Sequence, residues 1–182
     1  MKILFSGGCK NGKSTIAEDV SVSLCKNGRL YYIATMIPHD EEDEQRIIHH
    51  LKNRCGKGFT TIEAGEGLSR LCEDADPEGT YLLDSLTALL SNEMFPTKDG
   101  KNFGFEKDAP EKVAGEVLRL STCVNNLIVV SDYIFSGQYG EALTERYRAG
   151  LSLCQKLLAA RFDTVCEVCL GQTFNYKGEL PK

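Results

Sequence analysis

Residues 2–14, KILFSGGCKNGKS, decide the fold. A short apolar run at 2–6 leads into GGCKNGKS, Gly7 through Ser14, which satisfies G-x-x-x-x-G-K-[ST] at every position. Behind it, STIAEDVSVSL continues in a helical pattern. Glycines permit a tight turn whose successive backbone N–H groups aim at a polyphosphate. In this reading Gly7, Gly8, Cys9, Lys10, Asn11 and Gly12 form the cradle. Lys13 carries charge to the β and γ oxygens, and Ser14 offers a hydroxyl to Mg²⁺. A chance glycine turn would not have a strand before it and a helix after it. The stretch predicts nucleoside-triphosphate binding.

Outward from the loop, apolar runs at 2–6, 29–34, 60–63, 80–84, 126–131 and 163–169 alternate with helical patterns near 13–26, 40–54, 67–74, 85–95, 110–124 and 141–161. Strand and helix in alternation require crossover connections, hence an α/β fold of P-loop NTPase type: a mainly parallel sheet with helices on both faces. A chain of 182 residues suits a single domain, 1–182. Residues 96–110 read as a surface loop. Residues 133–140 follow a strand's carboxyl end, where α/β sheets place ligands.

Net charge of −5 disfavours nucleic acid as a partner, because neutralising phosphates needs a basic surface. No apolar run is long enough to span a membrane. With Met1-Lys2 leading directly into a strand, no signal peptide is expected, and the protein is expected to be cytoplasmic. Of eight cysteines, most follow core spacing. Cys166 and Cys169 form a C-x-x-C within a strand, where alternation turns the two sulfurs to opposite faces, and no second pair or histidine completes a zinc site.

Asp84 closes the strand YLLD. An apolar strand ending on a carboxylate has the form of a Walker B strand, whose acid supports Mg²⁺ or its water. The three histidines, His39, His49 and His50, crowd into twelve residues. DEEDEQRIIHHLKNR predicts a helix starting near Asp40, acidic in its first turn and basic in its last. At ~100° per residue, Ile47, Ile48 and Leu51 define its buried face, with His49 ~150° away and His50 about 105° away. His49 then neighbours Arg46, Gln45, Lys52 and Asn53, a surround suited to phosphate. The helix pattern alone leaves both a solvated face and nucleotide chemistry open.

Together, GGCKNGKSTIAE, YIAT, the acidic-to-HH helix, FTTIE and LLDSLTALLSN resemble the adenosylcobinamide kinase/adenosylcobinamide-phosphate guanylyltransferase family. The resemblance is specific over residues 2 to 95 and fainter beyond. It implies a P-loop α/β homotrimer of cobalamin biosynthesis with two activities. One phosphorylates the aminopropanol hydroxyl of the corrinoid adenosylcobinamide with ATP or GTP. The other transfers GMP from GTP to that phosphate through a guanylyl-histidine, with His49 at the nucleophile's position. By position, Ala34 and Thr35 match strand-end residues beside the nucleotide, Glu63 and Asp84 match nucleotide contacts and Met36 a variable site, while His50 is placed to orient the nucleotide. Helix geometry adds Lys52 and Asn53.

The second half departs from the family. Where the family has V-[ST]-N-E-V-G-x-G, this chain reads VSDYIFSG: Asp132, Tyr133 and Phe135 are replacements, and Gly137 alone survives of the closing glycines. Of F-R-D-x-x-G-x-x-N-Q, Tyr147-Arg148 remain, followed by Ala149, Ser152, Gln155 and Lys156. Phe59 stands where the family prefers Trp. Such changes reshape any acceptor pocket formed there. Two alternatives stand beside the bifunctional enzyme: a small P-loop kinase with a changed acceptor, and a non-catalytic GTP-binding paralogue.

Overall fold

The computed structural model describes residues 1–26, 28–38, 40–98, 101–102, 104–135 and 141–181, without the side chains of Arg46, His49, Asn53, Thr97, Lys98, Lys101 and Asn102. The elements follow in order: β1 (Lys2–Gly7), α1 (Lys13–Leu24), β2 (Leu30–Ala34), α2 (Glu41–Arg54), β3 (Phe59–Glu63), a 3₁₀ turn (Leu68–Cys72), β4 (Thr80–Asp84) and α3 (Leu86–Met94). Then come β5 (Thr97–Lys98), β6 (Lys101–Asn102), α4 (Ala109–Cys123), β7 (Asn126–Asp132), α5 (Ala142–Arg161), β8 (Thr164–Cys169) and β9 (Gln172–Lys177).

Seven strands form one sheet in the order β3-β2-β4-β7-β1-β8-β9. β1 runs parallel to β7 and β8, and β2 to β3 and β4; β9 returns antiparallel to β8. The central strands are continuous apolar runs because both their faces are covered. On one face, Ile3, Phe5, Leu82, Ile128 and Val130 pack with Ala17 of α1. On the other, Leu4, Leu83, Leu127 and Val129 meet Leu89, Leu90, Val117, Leu151 and Leu158 of α3, α4 and α5. The doubly covered parallel sheet is the expected one.

Two features depart from the sequence reading. Within the stretch read as a loop, β5 and β6 make a two-stranded antiparallel ribbon. The edge strand β9 leaves no signal in the sequence because QTFNYK is exposed along its whole length, so it carries no buried apolar face to betray it. Cys166 is buried in the core and its thiol donates to Asn175 Oδ1, while Cys169 is exposed. Burial pushes the Cys166 thiol up to about 11 and that of Cys154 to about 12, so both remain protonated thiols. Among the described residues no helix is long and apolar enough to cross a membrane.

Candidate functional site

Parallel register aligns the carboxyl ends of β1, β7, β4 and β2, so that Gly7 pairs with Asp132, and Asp84 with both Val130 and Ala34. The phosphate loop leaves β1 here. A Cβ at Gly7 would stand 2.3 Å from the Val168 carbonyl oxygen, and Gly12 has φ +85°; both positions require glycine. Asn11 Nδ2 donates to the Val168 carbonyl at 3.4 Å. Cys9 and Lys10 are exposed at the tip, and Ser14 is half-buried.

Lys13 is only 6% exposed. Its ammonium donates to the Gly8 carbonyl at 2.7 Å and pairs with Asp132 Oδ1 at 2.8 Å. From the sequence Asp132 stands out only as a departure; NLIVVSD is nevertheless a second apolar strand closing on a carboxylate. The structure gives that carboxylate the loop lysine as partner. Around it, the Asp132 N–H donates to Thr87 Oγ1 at 2.8 Å, and Gln155 Nε2 donates to Ser131 Oγ and the Asp132 carbonyl. Arg148 donates to the Phe135 carbonyl, and the Tyr147 hydroxyl to the Thr87 carbonyl. Tyr147, Arg148 and Gln155 thus brace the end of β7 beside the phosphate loop. Gly137 and residues 136–140 lie outside the described residues.

If Lys13 serves the phosphates, as the loop motif predicts, a triphosphate competes with Asp132 for it. Asp132→Asn removes both that competition and a like charge near the phosphates. Triphosphate affinity is expected to rise about three- to ten-fold, from the loss of a half-exposed ion pair. Isothermal titration with ATP and GTP reads this directly, and weaker binding would show that Asp132 assists the phosphates.

On the β2–β4 side a cleft of about 630 Å³ opens beneath α2. Asp40 caps α2, its carboxylate accepting from the Asp43 N–H at 2.9 Å. The helix contributes Glu44, Ile47, Ile48, His50, Leu51 and Arg54 to the cleft wall; strand ends contribute Ala34, Glu63 and Asp84. The face expected to be buried is a correction: Ile48 is 41% and Leu51 47% exposed. Helical periodicity identifies an apolar face but not what covers it, and here that face borders a cleft rather than core. His50 is half-buried in this wall. His49 belongs to α2, but its side chain, like that of Asn53, lies outside the described residues, as does His39 altogether. Lys52 is exposed and is not part of the cleft wall.

Thr35, expected beside the nucleotide, does not line this cleft. Its side chain is fully buried, the hydroxyl donating to the Ser85 carbonyl at 2.8 Å and accepting from the Ser85 N–H at 2.7 Å. It fixes the strand end next to Asp84 instead of facing the cleft. Asn92, the last residue of LLDSLTALLSN, does related work by donating to the Thr35 and Gly65 carbonyls at 2.8 Å each. Asp84 Oδ2 accepts from the Tyr32 hydroxyl at 2.9 Å. Burial, then the Asp84 charge, push the Tyr32 pKa far up, so the phenol stays a donor. A carboxylate such as Asp84 and the Ser14 hydroxyl are hard oxygen donors of the kind Mg²⁺ takes alongside phosphates and water. Among the described residues no group of three or more His, Cys, Asp or Glu forms a metal cage.

Residues 3–176 match the model of the family described as cobinamide kinase / cobinamide phosphate guanyltransferase. The chain is 32% identical to the bifunctional adenosylcobalamin biosynthesis protein CobU of Escherichia coli (strain K12), over 94% of this chain and 97% of that protein. To the protein of the same name from Salmonella typhimurium it is 26% identical, with the same coverage. Among solved structures, it resembles the ATP synthase subunit NeqB from Nanoarcheaum equitans (TM-score 0.54, 11% identity, 91% of this chain, 46% of that one). That likeness concerns the fold alone. A match over nearly the whole length, on a sheet that carries the phosphate loop and the α2 cleft at the same strand ends, assigns the chain: it belongs to the cobinamide kinase / cobinamide phosphate guanyltransferase family.

Proposed function

We propose that residues 1–182 act as one nucleotide-binding and transferase domain that phosphorylates adenosylcobinamide and then guanylylates the product. The observation that carries this reading is the convergence of Ala34, His50, Glu63 and Asp84 on one cleft, at strand ends shared with a complete phosphate loop. For the first reaction, the loop amides and Lys13 hold the β and γ phosphates of ATP or GTP. The acceptor hydroxyl attacks the γ-phosphorus, the bridging β–γ P–O bond breaks with its electrons on the departing ADP or GDP, and the hydroxyl proton is released to solvent. Ser14 and Asp84 would hold Mg²⁺, which offsets charge on the phosphate oxygens. For the second, an imidazole nitrogen of His49 attacks the α-phosphorus of GTP, and pyrophosphate leaves with the electrons of the broken P–O bond. A phosphate oxygen of the acceptor then attacks the same phosphorus. The P–N bond breaks, its electron pair returns to nitrogen to restore the neutral imidazole, and a P–O–P linkage forms. His50, Glu63 and Ala34 line the nucleotide's side of the cleft. The working form is cytoplasmic and homotrimeric.

Incubation of the pure protein with GTP and Mg²⁺, with and without adenosylcobinamide, tests this reading. Without acceptor, pyrophosphate should be released only to about the level of the enzyme itself, as expected for a covalent intermediate. With acceptor, GDP and pyrophosphate should both accumulate. GDP alone would favour a kinase that acts on this acceptor without guanylyl transfer. A kinase with a changed acceptor, for which the Tyr133–Phe135 aromatic pair (ring centroids 5.3 Å apart) is the supporting observation, would form GDP only with a different hydroxyl acceptor. Neither product would favour a non-catalytic paralogue.

Asp84→Asn separates metal support from nucleotide contact. It should weaken Mg²⁺-dependent GTP binding by roughly ten- to a hundred-fold and leave metal-free binding nearly unchanged. Equal losses under both conditions would remove Asp84 from the metal site.

A further inference from the structure

Among the described residues, the cleft wall holds three carboxylates, Glu44, Glu63 and Asp84, and a single permanently charged cation, Arg54. Arg54 closes α2 and is only 6% exposed. Its guanidinium carbon lies 3.4 Å from the centroid of the Tyr32 ring. That ring is held from another side by the edge of Phe59, with centroids 6.0 Å apart at 87°, and by its hydroxyl on Asp84. The ring is therefore a fixed platform for the guanidinium. Yet its Nη1 is buried with no hydrogen-bond partner. A buried guanidinium with an orphaned donor is costly, and stacking on a ring satisfies none of its N–H groups. A donor left so in a cleft wall fits an anionic ligand.

We infer that Arg54 is the residue that binds the acceptor's phosphate in the guanylyl-transfer step, an inference that rests on the function proposed above. None of residues 7–14 lines this cleft, so the loop's amides and Lys13 do not serve a phosphate seated there. The donor's β and γ phosphates have the loop; the acceptor brings its own phosphate dianion into a wall of carboxylates. The planar fork of arginine matches a phosphate edge with two parallel N–H donors. Holding that group in the cleft would offset its repulsion from Glu63 and Asp84.

Binding of adenosylcobinamide and adenosylcobinamide phosphate is compared by titration calorimetry in the parent, Arg54→Gln and Arg54→Lys proteins. In Arg54→Gln the phosphorylated ligand should bind roughly ten- to a hundred-fold more weakly, while the unphosphorylated ligand binds as in the parent. Arg54→Lys, keeping charge without the fork, should fall between them. Formation of the guanylyl adduct from GTP alone should persist in Arg54→Gln, which also reports an intact fold. Its transfer should show a raised KM for the phosphorylated acceptor. Equal weakening of both ligands, or loss of the adduct together with transfer, would assign Arg54 to the packing of α2 or to the donor nucleotide and overturn the inference. If the parent binds neither corrinoid, it is the proposed function that fails, and this inference falls with it.

Discussion

Lys13→Ala removes triphosphate turnover by roughly 10³-fold, kinase and guanylyl transfer alike, in a protein that still folds. The loop sequence alone assigns the lysine to the phosphates, with no other task. The structure adds one: the ammonium joins the Gly8 carbonyl to Asp132 and is almost fully buried. The substitution therefore also unties the loop from β7. Because the Asp132 side chain is 32% exposed, water replaces the lost partner and the stability loss should stay below about 1 kcal/mol. For a chain of this size that is a shift of a few degrees at most in Tm, on the order of 2–4 °C. Thermal unfolding by circular dichroism and product analysis by chromatography read the two effects separately. Turnover at the parent rate would take catalysis away from the phosphate loop. A collapse of Tm would show the Lys13–Asp132 tie to be a structural anchor first.

The difference between those two views of Lys13 shows where sequence reading stops. The β1–loop–α1 unit was legible because its chemistry is local: strand, glycines and lysine are contiguous, and each position has one physical reason. The central strands were legible for a related reason, since a strand buried on both faces must be apolar throughout. The non-local ties were not. Tyr32 looks like one more apolar residue of LYYIA, and only the packed sheet places its hydroxyl on Asp84 and its ring beneath Arg54. Thr35 is itself a matched position, yet parallel pairing of β2 with β4 commits its hydroxyl to Ser85. Asp132 could have been noticed as a second acid at a strand end, but its partner comes from a different element.

The α2 helix is the instructive failure of periodicity. Capping and charge place it correctly from Asp40 to Arg54, and its apolar stripe is real. The step from apolar to buried goes wrong, because a stripe that borders a ligand cleft has the same spacing as one that meets core. That correction bears on function. The wall formed by Ile47, Ile48 and Leu51 offers apolar surface for a ligand's ring system, with His50 and Arg54 beside it. The helix thus belongs to the site as a whole and not through one histidine.

GTP with Mg²⁺ should leave one guanylyl group on His49, seen as a mass increase of one GMP on the peptide spanning residues 47–52. The expectation rests on the position of His49 in the family's helix motif and on Lys52 and Arg46 as its helical neighbours. A neutral imidazole is a competent nucleophile near pH 7, and its phosphoramidate is labile enough to pass GMP onward. The adduct should be lost in acid and survive base, unlike a serine or threonine phosphoester. His49→Ala should erase it. His50→Ala should only reduce it, since His50 stands half-buried in the cleft wall, in place to orient a nucleotide and not to attack it. Kinase activity should persist in His49→Ala, because γ-phosphoryl transfer calls on the loop, the metal and the acceptor hydroxyl and on no histidine. An adduct that survives His49→Ala and disappears in His50→Ala would move the nucleophile one residue along the helix, into the wall the structure describes. No adduct at all, in protein shown by calorimetry to bind GTP, would remove the guanylyl-histidine and leave the kinase or the non-catalytic paralogue as the reading.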